Sequence, residues 1–227
     1  MMATRNLKRI GIAALLGTVV FLSACSSSAG KSAPQLVLPQ AEESEYRRLL
    51  AQARALSFTL DFDQLRRAYV ASPEYNPRGG AELVGLTEAY RAEERGEYGE
   101  CLKQVDRVLD VSYMSLEAHM IGVLCAARSA NLQREDIHRY MTEGLMDSIE
   151  RSGDGRSQES AYQTISTSEL NGFVRLKGLE VLDQSIVYDQ RGIYDKIQVR
   201  NLVSGDEYAL YFNVSRQFVH GVESAAD

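Results

Sequence analysis

The stretch IYDKIQVRNLVSGDEYALYFNVS, residues 193–215, decides the fold of the C-terminal part of the chain. Apolar side chains alternate with polar ones in both of its halves, as in strands that bury one face. These apolar residues are Ile193, Ile197, Val199 and Val203, then Tyr208, Leu210, Phe212 and Val214. A two-residue turn at Gly205–Asp206 would pair Val199 with Phe212 and place nearly every apolar residue opposite another. The stretch therefore predicts an antiparallel hairpin.

A helix and further strands are expected before the hairpin. Ser160–Ser166 contains a short strand candidate, a helix follows and ends near Lys177, and another strand around Ile186–Tyr188 turns near Gly192. The glycine- and serine-rich run RSGDGRSQ, residues 151–158, breaks the preceding pattern and marks a boundary.

The chain before this boundary is expected to be helical. Apolar residues at three- and four-residue spacing predict a helix over Glu45–Ala55, one from near Asp61 to before Pro73, and four between Ala81 and Ile149. The run RGEYGECL resembles a tetratricopeptide repeat, although that repeat's Trp-Leu-Gly opening is missing, and an unrelated helical hairpin is the alternative. The predicted fold is α+β: an N-terminal helical bundle with tetratricopeptide-like hairpins, followed by a small antiparallel β-sheet with one helix.

The first 25 residues have the pattern of an export signal. Three basic residues precede the apolar stretch Ile10–Leu22, which is too short to span a bilayer as a helix. The junction Leu-Ser-Ala-Cys, residues 22–25, resembles the bacterial lipobox, in which the cysteine receives diacylglycerol before cleavage. That resemblance implies a lipid anchor at Cys25 that attaches the mature chain to a membrane. The alternative is an ordinary signal peptide with a chance cysteine after it.

The residue after Cys25 indicates which membrane would carry the lipid anchor. Ser26 stands there instead of Asp, and by resemblance to sorting in diderm bacteria this favours the outer membrane, if the source has two membranes. The predicted organisation is a lipoprotein signal peptide at 1–24, a flexible tether at 25–44, a helical tetratricopeptide-like region at 45–151, a small α/β antiparallel-sheet region at 152–220 and a disordered tail at 221–227.

The charge balance argues against a nucleic-acid partner. The chain has 25 Lys and Arg residues against 31 Asp and Glu, and its formal charge is −6. Removal of residues 1–24 takes away three cations and no anion, so the charge becomes −9. An acidic chain has the wrong sign for a general binder of nucleic acids or anionic membranes.

Two cysteines remain for a disulfide if Cys25 bears lipid. Cys101 and Cys125 lie equally far from Tyr113, near which two of the predicted helices turn back on each other. The two thiols would then face each other in an oxidising compartment, which predicts a disulfide. The alternative is a pair of small, buried, reduced cysteines at a helix contact.

We expect no catalytic residue, no metal site and no cofactor. The three histidines His119, His138 and His220 lack the spacing of metal ligands, and the sequence has no G-x-S-x-G elbow and no glycine-rich phosphate loop after a strand.

Two groups of side chains are candidates for binding a partner. The turn SPEYNPRGG contains Tyr75, Asn76 and Arg78, and the second face of the final hairpin contains Tyr194, Lys196, Arg200 and Tyr211. Aromatic and cationic side chains together are typical of binding hot spots. The alternatives are that Tyr75 fills the helical core and that the sheet face packs on a helix.

Two segments resemble an uncharacterised bacterial family, a domain of unknown function found in secreted proteins and lipoproteins. They are DFDQLRRAYVASPEYNP, residues 61–77, and IYDKIQV with YALYFNVS in the final hairpin. The resemblance spans roughly Tyr46 to Phe218. It implies a common fold and transfers no activity.

The leading hypothesis is a lipid-anchored envelope protein that binds a protein or another envelope component without catalysing a reaction. A periplasmic immunity or inhibitor protein against a basic toxin is one alternative. An enzyme with a dispersed site is another.

Overall fold

The computed structural model describes residues 44–218 and confirms the α+β class. Its helices and strands are α1 (Glu45–Arg54), α2 (Phe62–Val70), α3 (Gly80–Glu94), α4 (Tyr98–Val111), α5 (Leu116–Arg128), α6 (Leu132–Glu150), β1 (Tyr162–Gln163), α7 (Thr167–Leu176), β2 (Leu179–Asp189), β3 (Gly192–Asn201) and β4 (Glu207–Asn213). A helical turn at 215–218 follows β4. The predicted signal peptide, nearly all of the tether, the tail, Cys25 and His220 lie outside the described residues.

Polar side chains at the N-cap position explain where several helices begin. Ser44, Asp61, Ser115 and Ser166 each accept a hydrogen bond from a backbone N–H in the first turn of the helix that follows. Such caps satisfy donors that have no partner within the helix. At the other end of α3, Gly96 has a φ of 71°, a left-handed conformation that suits glycine.

The four strands form one sheet in the order β1-β4-β3-β2. The expected antiparallel sheet is correct for β2, β3 and β4, but β1 pairs parallel to β4, so the sheet is mixed. This follows from the path of the chain. Helix α7 carries the chain from β1 at one edge to β2 at the other, and three antiparallel strands then return to β1.

The predicted register of the final hairpin is wrong by four residues. Val199 pairs with Tyr208 instead of Phe212, and a five-residue loop replaces the two-residue turn at Gly205–Asp206. The Asn201 side chain accepts hydrogen bonds from the backbone N–H groups of the second and third residues after it, at 2.8 and 3.0 Å, and so starts a wider turn. Because the shift is even, the inner face of each strand is unchanged.

The apolar side chains form two clusters. The larger one joins α1, α2, α6 and α7 to the inner face of the sheet, around Phe173, Phe212 and Leu145. The smaller one lies among α3, α4 and α5 and includes Cys101 and Cys125. These cysteines form a disulfide with their Cα atoms 6.3 Å apart, which confirms the predicted pairing.

A buried histidine pair joins α5 to α6. The Nδ1 atoms of His119 and His138 are 3.1 Å apart, and His119 Nε2 is 2.9 Å from the Tyr113 carbonyl oxygen. Burial lowers the pKa of His119 to about 3 and of His138 to about 4, so both rings are neutral at pH 7. Since a carbonyl only accepts, His119 Nε2 bears its proton, and His138 Nδ1 donates to His119 Nδ1. Gly122 permits this packing, because a Cβ there would lie 2.7 Å from His138 Cγ.

The histidine pair predicts a loss of stability in mild acid. Each pKa is lowered in the folded state, so below about pH 6.5 the unfolded chain binds more protons and unfolding becomes easier as the pH falls. At pH 5 each histidine should lower the free energy of unfolding by about 2 kcal/mol. Urea unfolding at pH 7 and pH 5 measures it. A variant with both His119→Gln and His138→Gln should lose less stability between these pH values than the wild type. An equal loss in both proteins would contradict the assignment.

Candidate functional site

The three candidates in the turn after α2 do not form one exposed surface. Tyr75 is only 6% exposed, and its hydroxyl donates to the Ile165 carbonyl oxygen at 2.7 Å, so it fills the core as the alternative interpretation expected. The Asn76 side chain accepts a hydrogen bond from the Gly79 backbone N–H at 3.0 Å. Asn76 is partly exposed, and Arg78 is exposed to solvent.

The candidates on the sheet face also differ in exposure and in their partners. Tyr194 is 2% exposed, contrary to the expectation that it faces solvent. Arg200 forms ion pairs with Glu180 and Glu207 on the two neighbouring strands, at 2.9 and 2.7 Å. Tyr211 is partly exposed, with the Lys196 ammonium 5.9 Å from its ring centroid.

A cavity that the sequence analysis did not anticipate is lined by four arginines. It has a volume of about 240 Å³ and lies among α2, α6, β1 and the turn after β4. We call it the arginine pocket. Its charged lining residues are Arg66, Arg67, Arg151, Arg216 and Asp63. The hydroxyl groups of Ser148, Ser152 and Thr164 belong to the same lining.

Arg66 is the buried base of the arginine pocket. Its Nε and Nη2 atoms donate to the two carboxylate oxygens of Glu169, both at 2.8 Å, and the Arg66 and Glu169 side chains are 8% and 0% exposed. Arg66 also donates to Ser148 Oγ at 2.9 Å and to the Gln163 carbonyl oxygen. The Ile165 backbone N–H donates to Glu169 at 3.0 Å. This network fixes Arg66 in one orientation.

A second ion pair narrows one side of the pocket. The Arg151 guanidinium lies 3.0 Å from Asp63 Oδ1, and the Ser148 hydroxyl donates to the same oxygen. Partial burial would raise the pKa of Asp63, but hydrogen bonds from Ser148 and Arg151 outweigh it and lower the pKa. Asp63 is therefore ionised at neutral pH and is a weak general base there. Ser148 is oriented by these hydrogen bonds.

Two arginines of the pocket have no acidic partner among the described residues. Arg67 and Arg216 are exposed, and neither forms an ion pair within residues 44–218. Guanidinium groups bind carboxylate and phosphoryl oxygens through paired N–H donors. Arg67 and Arg216, with the nearby hydroxyl groups, can therefore hold an anionic group at the mouth of the pocket.

Only one weak signal in the sequence could have indicated this pocket. Asp63, Arg66 and Arg67 all lie in the segment DFDQLRRAYV, which carries the family resemblance. Consecutive arginines on a short helix point in different directions, so one can be buried while the next is exposed. Helical periodicity alone does not show which acidic side chain pairs with the buried arginine.

A family model described as a domain of unknown function, DUF4919, matches residues 36–220. The chain belongs to this DUF4919 family. The match confirms the expected membership of a family without an assigned activity, and the two segments that indicated it lie within the matched residues. No curated protein and no solved structure matches this DUF4919 chain.

Two features are absent from the described part of the chain. Within 44–218 no helix is long and apolar enough to cross a membrane. The same residues include no group of three or more His, Cys, Asp or Glu side chains placed to hold a metal ion.

The Arg66 and Glu169 pair predicts a large effect of single substitutions. Arg66→Met leaves a buried carboxylate without its partner and should lower the free energy of unfolding by about 3–5 kcal/mol. The double variant Arg66→Met with Glu169→Gln should cost less than the sum of the two single variants, because no uncompensated charge remains. Urea unfolding followed by circular dichroism measures each variant.

The exposed ion pair between Arg47 and Glu74 is the matched control. Arg47→Met should cost at most about 1 kcal/mol, because solvent screens that pair. Equal costs for Arg66→Met and Arg47→Met would contradict the role given to the buried pair.

Proposed function

We propose that the protein is a lipid-anchored bacterial envelope protein whose arginine pocket binds the anionic group of a ligand without catalysing a reaction. The observation that supports this most directly is the pair Arg67 and Arg216, which line a defined cavity and form no ion pair with any acidic residue between 44 and 218. The neighbouring arginines, Arg66 and Arg151, are already held in ion pairs. The pocket therefore combines a rigid base with two cations available to a ligand.

The proposed anchor rests on the N-terminal sequence. The basic start, the short apolar stretch and the Leu-Ser-Ala-Cys junction at 22–25 indicate that Cys25 receives lipid. The chain after Cys25 would face the periplasm, from the outer membrane if the source is diderm. Residues between the anchor and α1 would hold the pocket at a distance from the lipid surface.

The helical part offers a scaffold for a protein partner. Helices α3, α4, α5 and α6 pack consecutively, and the disulfide between Cys101 and Cys125 ties the α4 and α5 hairpin. We propose that these tetratricopeptide-like hairpins bind a partner protein, with the arginine pocket as a separate ligand site. A nucleic-acid partner is not proposed, because the chain is acidic.

A second candidate function is inhibition of a basic protein, and the exposed edge of the sheet favours it. β2 is the outer strand and is eleven residues long. Its side chains Ile186 and Tyr188 are 48% and 80% exposed. It has carboxylates at Glu180, Asp183 and Asp189 and no lysine or arginine, although Glu180 and Asp189 already form ion pairs with Arg200 and Arg191. An extended basic segment of a partner would complement this edge in both hydrogen bonding and charge.

The arginine pocket predicts saturable binding of a small anion. In isothermal titration of residues 26–227 with inorganic phosphate at low salt, Arg67→Gln and Arg216→Gln should each weaken binding about tenfold, as expected for loss of one charge-assisted hydrogen bond. Arg128→Gln is the control, because Arg128 is exposed on α5 and does not line the pocket. No saturable binding, or equal weakening by Arg128→Gln, would refute the site.

The proposed lipid anchor predicts that the Cys25 variant, unlike the variant of the other two cysteines, loses both lipid labelling and partition into detergent. The full chain, expressed in a diderm bacterium with an alkyne-labelled palmitate, should be labelled and should partition into the detergent phase of Triton X-114. Cys25→Ser should abolish both, whereas a variant with Cys101→Ser and Cys125→Ser should retain both, because it keeps Cys25. A labelled Cys25→Ser protein, or an unlabelled wild type, would contradict the anchor.

A further inference from the structure

A second cavity lies on the opposite side of β1 from Gln163 and is separate from the arginine pocket. It has a volume of about 530 Å³, within the range of small-molecule sites, and lies between α7 and β4. Its floor consists of the core residues Phe173, Leu179 and Leu210, which are 0%, 7% and 6% exposed. Tyr162 and Tyr208 form its sides. We call it the aromatic cavity.

The wall of the aromatic cavity is held in place by the loop before β1. The Tyr211 backbone N–H donates to the Gly155 carbonyl oxygen at 2.8 Å, which fixes the loop along β4. Gly155 has a φ of 69°, and a Cβ there would lie 2.4 Å from Tyr162 Cε2, so the loop backbone packs directly on the tyrosine ring. The Tyr162 and Phe173 ring centroids are 4.7 Å apart. The aromatic surface is therefore preformed.

Three charged side chains surround the mouth of the aromatic cavity, and two of them are already engaged. Lys177 forms an ion pair with Glu150 at 2.8 Å. The Asp154 carboxylate accepts hydrogen bonds from the Arg156 backbone N–H at 3.0 Å and from the Ser160 hydroxyl. The exposed Arg156 guanidinium forms no ion pair within the described part of the chain. The hydrogen bond from Ser160 and, to a smaller extent, the charge of Arg156 lower the pKa of the Asp154 carboxyl, so a ligand's anion would share this cation with Asp154.

We propose that the aromatic cavity binds a planar aromatic ligand bearing one anionic group, with its rings against Tyr162 and Tyr208 and its anion at Arg156. Aromatic rings stack favourably on such a surface, and the buried leucines exclude water beneath them. A single carboxylate or sulfonate is the complement of a single unpaired guanidinium. The site is independent of the anion that we propose for the arginine pocket, because the two cavities have no lining residue in common.

Two fluorescent probes with the same ring system separate the two parts of this proposal. 8-Anilino-1-naphthalenesulfonate bears one anionic group, and N-phenyl-1-naphthylamine is its uncharged counterpart. Fluorescence titration of residues 26–227 should show saturable one-to-one binding of both probes, with the sulfonate bound about tenfold more tightly, as expected for one charge-assisted contact. Excess inorganic phosphate should not displace the sulfonate, apart from the effect of ionic strength that sodium chloride reproduces.

Variants then assign the binding to the aromatic cavity. Arg156→Gln should remove the preference for the sulfonate and leave the affinity for the uncharged probe unchanged. Tyr208→Ser should weaken both probes, with circular dichroism to show that the variant is folded. Arg128→Gln is the matched control and should change neither affinity.

The proposal is overturned if the sulfonate shows no saturable binding or binds no more tightly than the uncharged probe. It is also overturned if Arg156→Gln changes the affinity no more than Arg128→Gln does. Arg156 is exposed, so its variant tests the proposal without a risk to the core. Failure here leaves phosphate binding in the arginine pocket intact, so the two proposals fail separately.

Discussion

The buried ion pair between Arg66 and Glu169 is the interaction on which the arrangement of helices and sheet depends. It joins α2 to α7 across 103 residues of sequence. Burying two charges is costly, and here the cost is offset by a bidentate contact and by further hydrogen bonds: Arg66 donates to Ser148 and to the Gln163 carbonyl oxygen, and the Ile165 backbone N–H donates to Glu169. A pair with so many directional partners tolerates one geometry only. It therefore sets how α2, α6 and the start of α7 meet.

The same pair also determines the character of the arginine pocket. Glu169 neutralises the charge of Arg66, the innermost arginine, and Asp63 neutralises that of Arg151. The charges at the base of the pocket are therefore paired without a ligand. The charge that remains is at the mouth, on Arg67 and Arg216. A ligand would meet side chains whose supporting contacts are already formed, and less conformational entropy is lost on binding to such a site. The structural core and the candidate site are thus parts of one network.

The features that were predictable from the sequence are those with local causes. Helix limits follow from caps such as Asp61 and from apolar spacing, and the disulfide follows from two cysteines equally distant from one turn. The predicted register of the hairpin was wrong because periodicity does not reveal the hydrogen bonds of the Asn201 side chain. These hydrogen bonds place the turn elsewhere and leave Val203 96% exposed. The arginine pocket was not predictable, because its base depends on a contact between distant segments.

If the arginine pocket binds an anion as proposed, the acidity of the chain would favour small anions over long ones. At physiological ionic strength charges are screened beyond about 8 Å. A small anion in the proposed site would therefore interact mainly with Arg67 and Arg216, whereas a long polyanion would also meet the net negative charge of the rest of the chain, including exposed carboxylates such as Glu143 and Asp147 on α6. Attraction inside the pocket and repulsion outside it favour a compact ligand over a nucleic acid or an extended anionic polymer. The negative charge of the chain would thus be a source of selectivity for the proposed site.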